Sequence, residues 1–305
     1  MIKEFKKMVG KKIFLTGSSG FIGGSLCSYL AIHFIIRKYE RGNGVIINAD
    51  VVIHLAGKAH DLKNGSYPDE YYNINTELTK KVFDAFLVSN AKVFITLSSV
   101  KAVADEVEGE LSEEATPNPT THYGKSKLFA EEHILSHSIP EGKRVYVLRP
   151  CMINGPGNKG NLNLLYKLVS KGILWPLGAF ENKRSFCSID NLMFIIRELI
   201  ERDDIPSGIY NVADDETFST NQVVRLIAES KGKSARILNL SKSFIRAIAR
   251  LGNFLKLPLN TERLRKLTVS YVVSNAKIKA ALGKPLPVSS KEGLIKTFQS
   301  FSQNA

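Results

Sequence analysis

Lys12-Ile-Phe-Leu-Thr16 runs without a break into Gly17-Ser-Ser-Gly20-Phe-Ile-Gly23, and an apolar stretch continues to about Ala31. A short apolar strand, a glycine-rich turn and a helix, in that order, form the βα unit that receives nucleotide phosphates. Gly17, Gly20 and Gly23 fall where a tight turn, a backbone approach to pyrophosphate and close helix–strand packing each exclude a side chain. The N-terminus of the following helix then offers its amides and dipole to the phosphates.

Outward from this unit the pattern repeats. Val51-Val-Ile-His-Leu55 and Lys92-Val-Phe-Ile-Thr-Leu97 read as buried strands, with a helix from about Asp69 to Ser89 between them carrying Leu78, Val82, Ala85 and Phe86 at helical spacing. A helix from His122 to about His137 and a strand from Arg144 to Leu148 complete the alternation. Strands alternating with such helices predict an α/β fold with a Rossmann-like, doubly wound parallel sheet. Past Pro150 the rhythm loosens. Pro156, Gly157 and Gly160 make a loop before a helix from Leu162 to Lys171. Ser219-Thr-Asn-Gln222 and Ser289-Ser-Lys-Glu292 read as capping boxes. The expected division is a dinucleotide-binding region over 1–155, which takes back a strand near 208–213. A smaller, mostly helical substrate region over 156–305 interleaves with it. The segment Phe244 to Leu257 is apolar on one face and carries Arg246, Arg250 and Lys256 on the other. It fits a packed helix of that second region better than a helix lying on a membrane surface.

The 305 residues are 44% hydrophobic and 23% charged, which excludes a disordered or low-complexity chain. Cys27, Cys151 and Cys187 are too scattered for a disulfide framework or a zinc cluster and fit a reducing, cytoplasmic compartment. The longest uncharged apolar stretch, Phe21 to Ile36, falls short of the roughly 20 residues of a bilayer span. The lysine-rich start (Lys3, Lys6, Lys7) has no apolar signal region, so membrane contact is expected to be peripheral at most. Lys and Arg outnumber Asp and Glu by 42 to 29, a net charge of +13. That excess suits a small phosphorylated ligand or a solvated basic surface. No basic run is interleaved with aromatics, so nucleic acid is not an expected partner.

Tyr123-Gly-Lys-Ser-Lys127 places a lysine one helical turn beyond a tyrosine. A nearby ammonium favours phenolate, so Lys127 is expected to lower the Tyr123 pKa and make it a general acid/base for an alcohol or sugar hydroxyl. Ser98-Ser99 ends the preceding strand, where strand C-termini line the ligand crevice of a doubly wound sheet. A serine hydroxyl there can bond an oxygen that gains or loses charge. His54 and His60 read as structural or cofactor-lining, and no metal site is expected.

These motifs resemble the extended short-chain dehydrogenase/reductase family, in its nucleotide-sugar epimerase/dehydratase branch. Thr16 to Gly23 is similar to the family's cofactor loop, His54-Leu-Ala-Gly57 to its fourth-strand motif, and Asn75-x-x-x-Thr79 to its following helix. Arg149-Pro-Cys-Met-Ile-Asn-Gly-Pro-Gly157 resembles the segment flanking nicotinamide and substrate. Arg184-Ser-Phe-x-x-x-Asp190 resembles the stretch whose arginine grips a nucleotide diphosphate, and Tyr210-Asn-Val-Ala213 the late strand returning to the sheet. The resemblance implies a catalytic set of Tyr123, Lys127 and Ser99, with Ser99 preferred over Ser98. It implies dinucleotide contacts from Gly17, Ser19, Gly20, Phe21, Ile22, Gly23, Leu55, Ala56, Gly57, Asn75, Ser98, Tyr123, Lys127 and Pro150. Substrate contacts are implied for Ser99, Lys101, Asn161 and Arg184.

Three departures from the family pattern narrow the expectation. Val100-Lys101 stand where dehydratases of the branch carry an Asp-Glu pair. Met152 replaces an asparagine of the galactose epimerases. The Gly17–His54 interval lacks twenty to thirty residues, so the helix and the acidic residue of the adenine wall are expected to be missing. Glu40 is the one carboxylate at about the spacing of a ribose-binding acid, and Arg37 and Arg41 beside it suit a 2′-phosphate. NAD is expected and NADP stays open. The implied activity is an NAD(P)-dependent nucleotide-sugar 4-epimerase on a UDP-hexose or UDP-N-acetylhexosamine, as a homodimer. The alternatives are a 4-keto-sugar reductase and a catalytically weak nucleotide-sugar binder.

Overall fold

The computed structural model describes residues 10–40, 42, 44–58, 67–158, 160–255 and 259–303. Lys3, Lys6, Lys7, Arg41, His60, Lys256 and Leu257 lie outside them. β1 (Lys12–Thr16) turns into α1 (Phe21–Leu30), and a short β2 (Ile35–Lys38) follows. β3 (Val51–His54), β4 (Val93–Leu97), β5 (Arg144–Pro150) and β8 (Gly208–Val212) complete a six-stranded sheet of order β2-β1-β3-β4-β5-β8. Every pairing in it is parallel. Such strands read as near-continuous apolar runs because helices cover both faces of the sheet.

Alternate strand residues feed two cores, as the pleat requires. Leu15, Ile53, Ile95 and Leu148 face α1 and α5 (Ile189–Glu201), against Leu26, Leu192 and Ile196. Phe14, Val52, Phe94 and Val147 face α2, a helix over residues 68–88 whose Val82, Phe83 and Phe86 are fully buried. α2 is α-helical at Pro68–Tyr71 and Leu78–Val88, with a π-helical turn, Tyr72–Glu77, between. α3 (His122–Leu135) packs beside it.

β1 pairs with β2 on one side and β3 on the other, so the strand order reverses there. That is the switch point at which open α/β sheets hold ligands. Beyond β2 the sheet stops. Three of its four residues are exposed, and no helix lies between β2 and β3 among the described residues. The short Gly17–His54 interval thus costs the fold its third strand and the helix leading to it, while the second strand survives.

Downstream, β6 (Met152–Asn154) and β7 (Arg184–Ser188) pair in parallel, flanked by α4 (Asn161–Ser170), α6 (Thr220–Glu229) and α10 (Ser290–Gln303). Both expected capping boxes form, Ser219 with Gln222 and Ser289 with Glu292. α7 (Lys242–Leu255) and α8 (Thr261–Thr268) close a second cluster around Trp175, and α9 (Ala276–Leu282) returns to the sheet. Among the described residues no helix is long and apolar enough to cross a membrane.

Candidate active site

The turn after β1 is held from the β3 side. Gly17 has φ +71° and stands so close to Leu55 and Ala56 that a Cβ would strike their backbone, and a Cβ on Gly23 would strike the Gly17 carbonyl. Gly20 caps α1 with no side-chain hydrogen bond, leaving that helix end free to meet an anion. Ser19 is exposed, while Phe21, Ile22, Leu55 and Ala56 are half-buried around the turn. A buried relay fixes the geometry behind it. The Ala56 amide donates to Thr16 Oγ1 (3.1 Å), which pairs with His54 Nδ1 (2.7 Å). His54 Nε2 pairs with Thr79 Oγ1 (2.9 Å), which donates to the Asn75 carbonyl (2.7 Å). Those donors assign the proton to Nε2. Burial, with Lys127 adding to it, lowers the His54 pKa to about 3, so the ring is a neutral strut. Asn75 also accepts from the Lys58 amide (2.8 Å) and donates to Ser126 Oγ (3.0 Å), tying the Gly57 loop to α3.

Ser99, two residues past β4, caps the short turn Val100–Ala102, and its hydroxyl hydrogen-bonds the Tyr123 phenol. Thr121 caps α3 through the Gly124 amide (3.2 Å), and Asp105 holds Thr120 and Thr121 in place. A side chain at Gly124 would collide with the Lys101 carbonyl, so glycine at this point of Tyr123-Gly-Lys-Ser-Lys127 lets α3 close on the serine turn. Lys127 Nζ donates to the Leu97 carbonyl at 2.8 Å. Burial lowers its pKa to about 8 against the opposing pull of Glu131.

The expected lowering of the Tyr123 pKa is not what the structure holds. Burial raises it, the Ser99 hydrogen bond lowers it in part, and the nearby phenol of Tyr71, whose ring lies 6.2 Å from that of Tyr123, raises it further. Lys127 spends its ammonium on a strand carbonyl instead of the phenol. The free protein therefore stores Tyr123 as the neutral acid.

Tyr123, Lys101, Asn161 and Arg184 line one cleft of about 760 Å³, together with Met152 and Tyr271. Lys101 Nζ donates to the Asp105 carbonyl (2.7 Å) and lies 4.1 Å from the Tyr271 ring centroid. Burial lowers its pKa to about 8. Arg184 is half-buried, is in no ion pair among the described residues, and its Nε is buried without a hydrogen-bond partner. Burial lowers its pKa as well. Ser98 Oγ is the second unpartnered polar atom of this region. Two buried donors that the protein leaves unused fit a phosphorylated, hydroxyl-bearing ligand.

Arg149 is turned away from the cleft and forms a buried fork with Glu131, at 3.0, 3.1 and 2.5 Å, and Pro150 is buried at the end of β5. Glu131 went unnoticed in the sequence although Tyr123, Lys127 and Glu131 share one helix face at four-residue steps. Asp105 and Tyr271 carried no motif. Among the described residues, the one His/Cys/acid group that could hold a metal ion is Asp84 of α2 with His133 of α3 and His137 just past the end of α3, outside the cleft lining.

A parallel sheet with a glycine turn at its switch point and a serine–tyrosine pair beside it defines a dinucleotide-dependent class of α/β protein. The chain belongs to the NAD dependent epimerase/dehydratase family, whose sequence pattern it matches over residues 43–213. It is 29% identical over 321 residues to a UDP-glucose 4-epimerase of Vibrio cholerae, covering 96% of each chain. It is 26% identical to an N-acetyl-α-D-glucosaminyl-diphospho-ditrans,octacis-undecaprenol 4-epimerase of Escherichia coli O157:H7, over 75% of each. The fold is shared with the UDP-glucuronic acid 4-epimerase of Bacillus cereus solved with NAD, at a TM-score of 0.74 and 20% identity over 96% and 99% of the two chains.

Proposed function

We propose that the protein is an NAD(P)-dependent 4-epimerase of a sugar carried on a diphosphate, most simply a UDP-hexose or UDP-N-acetylhexosamine. The observation that carries this reading is the single cleft holding a protonated Tyr123 hydrogen-bonded to Ser99, with the unpaired Arg184 in its wall. A bound nicotinamide would supply hydride exchange at sugar C4, with hydride leaving C4 and coming back to it in one cycle. Tyr123 exchanges the proton of the C4 hydroxyl, and Ser99 holds that oxygen. Lys127 would hold the ribose of the coenzyme, and Arg184, its Nε without a partner in the cleft wall, would offer its fork to the diphosphate. The relative from E. coli is named for a sugar on a polyprenyl diphosphate, and Arg184 would grip that diphosphate equally well. Residues 1–155 with β8 hold the coenzyme in this reading, and 156–305 the sugar and its carrier.

A second reading, a 4-keto-sugar reductase with the same residues, is favoured by the sheet ending at β2. An adenine left on an open edge leaves readily, which suits a coenzyme exchanged at every turnover. Incubation with a panel of UDP-sugars and their 4-keto derivatives, the latter with NAD(P)H, followed by NMR at C4, separates the two. Equilibration of C4 epimers with no net oxidation of added coenzyme supports the epimerase. Consumption of one NAD(P)H per 4-keto sugar supports the reductase. Absence of both reactions across the panel removes the catalytic reading.

A further inference from the structure

α7 has two apolar faces. Ile245, Ala249 and Gly252 are buried in the Trp175 cluster, and Gly252 lies so near the Leu259 carbonyl that no side chain fits between them. Asn253 ties the helix to Thr261 of α8 through bonds of 2.9 and 3.0 Å. The rotation of α7 is thereby fixed. Phe244, Leu251, Phe254 and Leu255 are directed outward and remain 56%, 54%, 85% and 53% exposed. At 100° per residue those four occupy an arc of about 100° opposite the buried face. Arg250 and Arg246 form an exposed basic stripe that begins about 40° beyond one border of that arc, and Lys242, further round the helix, falls nearer the buried face. None of the three is in an ion pair among the described residues.

We propose that α7 is an interfacial helix that docks the protein on an anionic lipid bilayer. Phe244, Leu251, Phe254 and Leu255 enter the boundary between headgroups and acyl chains, and Arg250 and Arg246 reach the lipid phosphates beside them. A surface helix with aromatic and leucine side chains on one arc and cations beside it has the composition such docking needs. Charge selects this occupant over a second copy of the chain. Two copies brought together through this face would each add a net charge of +13, whereas an anionic bilayer offsets that charge and the arginines beside the arc. The stripe also borders a groove of about 470 Å³, lined by Lys242, Arg246, Arg250 and Glu181, that shares Arg265 and Val269 with the cleft. Docking through α7 brings this groove, which reaches the Arg265 side of the cleft, alongside the bilayer.

The test is co-sedimentation of the purified full chain with phosphatidylcholine vesicles, with and without phosphatidylglycerol. Binding is expected with phosphatidylglycerol and should weaken as salt is raised. The double change L251E/F254E is expected to lower partitioning at least about tenfold, and R246E/R250E about fivefold per cation removed. Circular dichroism of L251E/F254E should match the parent, and so should any turnover of a water-soluble UDP-sugar. Sedimentation requires no catalysis, so failure of the enzymatic reading leaves this test intact. Protein that stays in the supernatant at low salt overturns the proposal. So does binding that L251E/F254E leaves unchanged, because the general positive charge would then suffice. A wild-type oligomer that L251E/F254E dissociates, without vesicle binding, would assign the face to a second copy instead.

Discussion

On the α3 side of the switch point each functional group is tied to several others by buried side-chain hydrogen bonds, while past β2 the chain is held mainly by backbone bonds to β1 and by Tyr39, Val45, Ile47 and Ala49 packed on the core. Tyr123, Ser99, Lys127, Asn75 and His54 are linked through Ser126, Thr79 and the β4 carbonyl of Leu97 into one buried network. Residues 39–50 have no regular structure among those described, and Glu40 is exposed. Both sides would meet the same dinucleotide, one at the nicotinamide and the other at the adenine. In the proposed reading, the reacting end of the site is rigid and the adenine end is left open. Loss of the third strand leaves the chemistry standing because β1 pairs directly with β3.

The largest expected break is at the phenol. Tyr123→Phe should lower turnover by about 10²–10⁴-fold, the worth of a positioned acid/base, with the melting temperature almost unchanged. Turnover near that of the parent would remove Tyr123 from the mechanism. Because burial keeps the phenol protonated, the direction in which it donates a proton should be flat through neutral pH. The direction in which it accepts should rise with pH.

Next comes the fork behind it. Arg149→Met strands the Glu131 carboxylate in a dry site and should cost about 3–5 kcal/mol in denaturant unfolding. Replacing both partners with apolar residues should recover most of that loss. If Arg149→Met proves harmless, the pair is not the brace that joins α3 to β5.

How much of this was legible depended on how local each feature is. The strand–glycine–helix unit, the Tyr–Lys step and the serines at the β4 terminus are short-range patterns, and they appear where spacing predicts. Glu131 was equally visible by spacing, yet its partner Arg149 is set by the β4–β5 pairing. The direction of the Tyr123 shift depends on where the Lys127 ammonium points, and a carbonyl of another strand captures it. Tyr271 reaches the cleft from the far end of the chain, packing against β7 and the loop after β4. The exposed apolar arc of α7 is written in the sequence as plainly as the buried one. Only tertiary packing decides which of the two turns inward.

Smaller effects sharpen the comparison. Arg184→Ala should weaken UDP-sugar binding by about ten- to a hundred-fold, since a charge-assisted bond is worth roughly 1.5–3 kcal/mol, and leave dinucleotide binding alone. Calorimetry that finds equal losses for both ligands would make the arginine structural. Lys127→Met should abolish turnover and yet stabilise the free protein by about 1–3 kcal/mol at neutral pH. Burial lowers the lysine from 10.5 to about 8, so folding disfavours its charged form. The native state then binds fewer protons than the unfolded one between those values. The penalty is full below about pH 8 and fades as pH rises toward 10.5. Unfolding curves that show no gain at pH 7 for the methionine variant would mean the Leu97 bond offsets the burial.

The smallest effect is expected on the bare side. Glu40 follows β2, where a ribose-binding carboxylate belongs, but it is exposed, and neither the missing helix nor the missing third strand shields it. A charged hydrogen bond left open to water contributes less than about 1 kcal/mol, or about fivefold in affinity. Glu40→Gln should therefore change NAD affinity by less than about fivefold and barely alter the preference between NAD and NADP. For the same reason the protein as purified should carry little dinucleotide. Adenine on an open edge loses part of the burial, worth about 25 cal/mol per Å², that a full wall would give it. Absorbance and mass spectrometry of the denatured supernatant measure the bound fraction, and titration of the Glu40→Gln variant measures the contact. Stoichiometric, non-exchanging NAD in the purified protein, or a loss of NAD affinity above tenfold in the variant, would show that residues 39–50 complete the pocket. The two sides of the switch point would then be equally well built.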